Sequence, residues 1–160
     1  DANVTTLDVT GVSTIVDADV TTLDVTGTAT LADANVTTLD VTGVSTLATV
    51  TADSAVAGTS TANATGSTTL DFSAQQNFVL TLTGNATLAN PTTETVGQSG
   101  FIVFIQDATG GRTVSLGTEY ETAGAGGLTL STAASTTDIV PYVVAASGRI
   151  LLGAPQLAFA

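Results

Sequence analysis

No cysteine, histidine, methionine, tryptophan or lysine occurs anywhere in the chain. Without cysteine there can be no disulfide, and thiols say nothing about the redox compartment. Without cysteine and histidine, zinc centres of the usual kinds cannot be assembled. Neither a serine–histidine–aspartate nor a cysteine–histidine relay can form. Arg112 and Arg149 are the only basic side chains, against fourteen acidic ones, for a formal net charge of −12. Nucleic acid is not an expected partner, because phosphate neutralisation needs a basic patch. An anionic membrane surface is disfavoured for the same reason. No apolar run approaches the roughly 20 residues of a membrane-spanning helix, so no membrane insertion is expected, and no signal peptide is visible. No dinucleotide or P-loop fingerprint appears. The "GAGG" at 124–127 reads as a flexible loop, since no helix follows it. No cofactor is expected.

What the chain does hold is threonine, valine, leucine and alanine. Hydrophobic residues make up 43% and charged residues 10%. β-branched residues suit a pleated surface, and glycine, asparagine and aspartate supply turns, so the composition predicts an all-β protein. The phrase "NVTTLDVTG", with Asp in place of Asn in its middle copy, recurs with a period of sixteen residues. Val4, Val20 and Val36 coincide, as do Leu7, Leu23 and Leu39, and Gly11, Gly27 and Gly43. A decayed fourth copy follows as "TADSAVAGTSTA". Such a period is the signature of a repeat architecture. Within a copy, Leu7 and Val9 fall on one face and Asp8 and Thr10 on the other, the alternation of a half-buried strand. Gly11 then supplies the turn. The chain opens inside a repeat without an initiator methionine, which fits a processed form or a piece of something longer.

Each repeat offers only a few medium-sized apolar side chains and no aromatic. A ribbon of this kind has one apolar face and cannot close a core by itself. It can stack into a β-helical solenoid, or several chains can bring their apolar faces together on an axis. The uniform Val, Leu, Ile and Ala positions favour the second, a parallel homotrimeric shaft, in keeping with the closed symmetry of most homo-oligomers.

"TTLDVTGVSTL" and "TTLDVTGTATL" resemble the LTVTG-type repeats of bacteriophage tail fibres and other virion fibres. "FVLTLTGNATLANPTTETVGQSGFIVFIQDATGGRTVSLG" resembles the C-terminal β-domain of such proteins. After "SLG", where many relatives carry an aromatic-rich stretch, this chain reads "TEYETAGAGG". The resemblance implies a structural protein on the virion surface, a homotrimer joined at its N-terminal end to other virion proteins. It implies attachment to a host surface glycan or protein. A capsid-decorating head fibre or cement protein, a polysaccharide depolymerase and a bacterial trimeric adhesin are the alternatives. The adhesin is disfavoured by the missing membrane anchor.

The expected organisation is a repetitive shaft over residues 1–65 and a head over residues 66–160. All five Phe and both Tyr lie after residue 71, so the second part can build a core. Strands are expected at 70–72, 78–83, 101–106, 112–116, 128–130, 139–144 and 149–152, arranged as a small β-sandwich or jelly roll. "FIVFIQ" reads as a central strand buried on both faces, and "DATGGRT" as a hairpin turn from it to "TVSL". Asn90 and Pro91 mark another turn.

Candidate recognition residues are Thr118, Glu119, Tyr120 and Glu121 in the "TEYETAGAGG" loop, with Arg112 in the "GGRT" turn, because loops on a rigid scaffold carry recognition. Three copies would add avidity. Arg112 and Arg149 are each expected to pair with a carboxylate such as Asp107 or Asp138. Glu119 and Glu121, two apart, are the best carboxylate pair for glycoside hydrolysis, and the simpler reading is an exposed loop without enzymatic activity. The repeat aspartates Asp1, Asp8, Asp17, Asp19, Asp24, Asp33 and Asp40 read as solvated outer-face residues before they read as a calcium ladder, and no metal site is expected. Asn3, Asn35, Asn63 and Asn85 stand in N-x-T triplets and are expected to serve turns.

Overall fold

The computed structural model describes residues 51–160. The three sixteen-residue repeats and the aspartates from Asp1 to Asp40 lie outside the described residues. Eight strands follow one another: β1 (Thr59–Thr69), β2 (Asn77–Ala89), β3 (Ser99–Gln106), β4 (Val114–Leu116), β5 (Tyr120–Thr122), β6 (Thr137–Ala146), β7 (Arg149–Leu152) and β8 (Gln156–Phe159). Among the described residues the only helical piece is a 3-10 turn, Ala123–Ala125. The described residues are all-β, as the composition predicts.

All eight strands join into one sheet in the order β1-β2-β3-β6-β7-β5, with β4 on β2 and β8 on β6. In place of two separate sandwich sheets, the sheet forks. Phe78–Leu82 of β2 pair in parallel with Ile102–Gln106 of β3, whereas Ala86–Leu88 pair in parallel with β4. β6 divides likewise: its first residues pair with β8 and its last with β7, both antiparallel.

Chain length explains the fork. β1 and β2 are parallel neighbours, Thr59 opposite Asn77 and Thr69 opposite Ala89, so the chain must return along the full length of β1. A straight β1 would span about 33 Å at ~3.3 Å per residue. The connection, residues 70–76, reaches at most about 29 Å when fully extended. It is shorter than that, because Gln75 N–H donates to the Asp71 carbonyl at 3.2 Å. The two strands must therefore bend together. They do so where the register slips, with Ala64 opposite Leu82 but Gly66 opposite Ala86. Gly66 takes a positive φ of 60° there, and Gly84 approaches the Thr65 hydroxyl so closely that a β-carbon would collide with it. In the gap, Asn85 Oδ1 accepts from Thr113 N–H at 3.1 Å. Asn85 thus bridges to the residue before β4, inside a strand and not in the turn expected for it.

The inner face of the bend carries the core. Phe78, Leu80, Leu82, Ile102, Phe104, Val140, Tyr142, Val144, Ile150 and Leu152 are buried along alternating positions of β2, β3, β6 and β7. Leu70 and Phe72 come from the β1–β2 connection to cover it. Phe72 meets Phe78 and Tyr142 edge-on with ring centroids 5.1 and 5.2 Å apart, the geometry aromatic pairs favour.

Several expected strands are corrected. Residues 70–72 alternate in polarity but make no ladder. The Asp71 carboxylate accepts from Ser73 N–H at 3.0 Å and from its hydroxyl at 2.6 Å, turning the backbone out of a strand path. Residues 128–130 likewise lay Leu128 and Leu130 against the core without pairing. β1, β5 and β8 are strands that the pattern did not announce. β1 takes residues 59–65, which sequence placed with the repeats, into this sheet. β3 is central but buried on one face only: Ile102, Phe104 and Gln106 are buried, while Phe101 is 49% exposed. "DATGGRT" does not close a hairpin, because β4 pairs with β2.

Candidate functional site

Two turns hold the residues singled out as recognition candidates. The first runs from Asp107 to Arg112. Its base is Gln106, whose buried side chain stands in for a strand partner. The Gln106 Nε2 donates to the Arg112 and Ser131 carbonyls at 2.8 Å each, and Oε1 accepts from Arg112 N–H at 2.9 Å. A carboxamide thus supplies the pairing that a hairpin ladder would have given. Asp107 Oδ1 accepts from the backbone of Thr109 and Gly110 at 3.0 and 2.9 Å. Its Oδ2 takes the Arg112 Nη2 at 2.9 Å. The guanidinium, foremost, and these N–H groups hold the Asp107 carboxyl below the usual carboxylate range. Gly110 has a φ of 71°, and a β-carbon there would meet the Thr132 carbonyl at 2.6 Å. The turn is therefore fixed, with Arg112 about one quarter exposed and already paired.

The second turn runs from Gly117 to Gly127. Gly117 N–H donates to the Leu88 carbonyl at 2.7 Å, and a β-carbon on Gly117 would collide with Asn90 Oδ1. That same oxygen accepts from Glu119 N–H at 3.1 Å, and Asn90 Nδ2 donates to the Thr118 hydroxyl at 2.9 Å. Asn90 of the "NP" turn is thus the anchor of the candidate loop. Beyond it, β5 pairs in parallel with β7, Tyr120 opposite Ile150 and Glu121 opposite Leu151. Thr122 Oγ1 accepts from Gly127 N–H at 3.0 Å and closes the loop. A shallow concavity lies here, lined in part by Leu116, Tyr120, Glu121, Thr122 and Gly124.

The structure distributes the candidates unequally. Thr118 is exposed. Glu121 is exposed and engaged by Arg149 at 2.9 and 3.0 Å, so Arg149 pairs with Glu121 and not with Asp107 or Asp138. That ion pair holds the Glu121 carboxyl low. Tyr120 is 5% exposed and belongs to the core. Burial, then the charges of Glu119 and Glu94, push its hydroxyl well above the ordinary tyrosine value. Glu119 is half-buried; its Oε2 and the Tyr120 hydroxyl are buried without a hydrogen-bond partner. Arg112 stands in the other turn. Sequence reasoning missed Asn90 as the anchor, and it missed Glu94, whose Oε1 accepts from Gly148 N–H at 3.0 Å and whose carboxyl is lowered by it. Glu119 lies against the same glycine: a β-carbon on Gly148 would sit 3.7 Å from its carboxyl carbon. The turn at "SGR", with a φ of 66° at Gly148, was the available signal. Asp138, buried, accepts from Ser131 and Ala158 N–H at 2.6 and 2.8 Å. Among the described residues no three acidic side chains gather as a metal site would need, and no helix is long and apolar enough to cross a membrane.

The sequence that forms this forked sheet and its two braced turns matches a known family. Residues 64–149, more than half of the chain, match the family described as "Putative phage tail fibre C-terminal domain". The chain belongs to this family. It is a phage fibre structural protein and a component of the virion. The matched span runs from within β1 to the first residue of β7, so it contains both turns and most of the core. No curated protein and no solved structure matches the chain.

Proposed function

We propose that the protein works as a homotrimeric fibre on the virion surface and attaches the particle to a glycan or protein of the host. The observation that carries this reading is the tail-fibre family match over residues 64–149. Two features support it. The turns at 107–112 and 117–127 are braced by the Gln106 and Asn90 side chains, and rigid turns lose little entropy on binding. Thr118 and Glu121 are exposed there, and Arg112 and Glu119 partly so. Three copies of a weak contact would bind with avidity.

The proposed role requires no bond cleavage. A glycosidase acid needs a raised carboxyl, whereas Arg149 holds that of Glu121 low. The test is competition. Purified protein added to host cells should slow phage adsorption in proportion to its occupancy, with no new reducing ends released from host polysaccharide. Undiminished adsorption at saturating protein would overturn the attachment reading and favour a decorating role on the capsid. Release of sugar ends, lost in Glu119→Gln, would restore the enzyme reading. Sedimentation tests the trimer: a particle three times the 15.7 kDa chain is expected.

A further inference from the structure

The outer face of the central strands is uncharged and, at its middle, apolar. Register places Val79 of β2 beside Val103 of β3 and Val103 beside Ile139 of β6. Phe101 lies opposite Pro141, and Val143 opposite Leu151 of β7. These residues alternate with the buried core positions, so all point away from the core. Phe101 and Val143 are 49% and 39% exposed. Both ends of the stripe are polar. On one side lie Thr61 and Asn63 of β1, opposite Val79 and Thr81. On the other, Glu121 sits opposite Leu151 and pairs with Arg149.

We infer that this stripe, centred on Val103, Ile139 and Val143, is the surface on which a second copy of the chain packs. The inference rests on the homotrimer reading above and says which face makes it. The apolar positions, in cells of about 4.8 by 6.7 Å each, cover about 260 Å² in plan. That is close to the lower end of the largest patches, about 300–600 Å², that an ordinary monomer carries. With Thr61 and Asn63 at one margin and the Glu121–Arg149 pair at the other, it has the apolar centre and polar rim of protein interfaces. Charge selects the occupant. Both arginines are spent in ion pairs, so an anionic lipid or polyanion finds no free cation. An acidic copy of a chain with net charge −12 can come close only where no carboxylate lies, and this stripe is such a place. It is also open and broad, and does not enclose a small ligand.

The test uses the full chain. Wild type should sediment as a trimer. Val143→Asp should keep its β circular dichroism and raise the dissociation constant at least about 100-fold, because an unpaired charge would be buried. Ser115→Asp, an exposed position on β4, should leave association unchanged. A trimer of undiminished affinity in Val143→Asp overturns this inference and leaves the trimer standing; a monomeric wild type overturns both. Should Val143→Asp not fold, the cysteine-free background allows Val143→Cys with a spin label. Shielding of that label from a water-soluble relaxer, relieved on dilution, supports the inference. Relaxation as fast as at Ser115→Cys overturns it, and so does shielding that persists in the monomer, which would place the chain's own N-terminal residues on the face.

Discussion

The two faces of β3 and β6 are written with almost the same letters and meet different fates. Ile102, Phe104, Val140 and Tyr142 are buried, whereas Phe101, Val103, Ile139, Pro141 and Val143 on the reverse are half-buried or exposed. Hydrophobicity decides that a residue should leave water, but not what will cover it. The inner face is covered by the chain's own bend and by Leu70 and Phe72. For the outer face no described part of the chain performs that service.

The contrast can be broken most forcefully at the core. Phe104→Ala is expected to cost about 3–5 kcal/mol, read by chemical denaturation. Val103→Ala, one residue away on the other face, should cost under about 1 kcal/mol in the separated chain. A large loss at Val103 under those conditions would show that the chain covers its own outer face. Next comes a buried carboxylate of the inner side. Asp138→Ala orphans two backbone N–H groups and should cost about 1–3 kcal/mol for each one left without water. Thr137→Ala, next door and facing outward, should change little.

Acid should separate the ion pairs from the core by a smaller margin. Asp107 and Glu121 both have carboxyls lowered by arginine. Their contribution is complete above the ordinary carboxyl range and is lost as pH falls through the lowered values. Tm should therefore drop below about pH 4, less steeply in Arg149→Ala than in wild type. At neutral pH Arg149→Ala should barely move Tm, since an exposed pair contributes little. The smallest effect is expected at Tyr120→Phe, which deletes a buried hydroxyl that bonds nothing in the protein. Stability should hold or rise slightly; a clear loss would reveal a water held there.

Class and core were legible because they depend on alternation and composition. Ile102 and Phe104 stand in a short β-branched and aromatic run bounded by glycines, which reads as a strand, and the aromatics mark where a core can form. The pairings were not legible. "FIVFIQDATGGRTVSL" looks like a hairpin because glycines separate two apolar runs, yet the Gln106 side chain replaces the ladder and β4 joins β2. β1 was invisible because Thr, Ser, Asn and Ala reveal nothing about burial, and its placement follows from the return path of residues 70–76. In the candidate turns, Glu121 and Arg112 were visible as charges. The burial of Tyr120 was not, because one aromatic between two glutamates has no periodicity to read.

The parallel pairing of β1 with β2 has a mechanical consequence. The chain enters the sheet at Thr59 and runs along β2 in the same direction to Thr69. A pull applied from the N-terminal side therefore acts along β1 and loads its hydrogen bonds to β2 side by side, in shear, where an end-on tug across a hairpin would peel them one after another. The corner at Gly66 divides that ladder into two blocks, so traction must overcome the first block before it reaches the second.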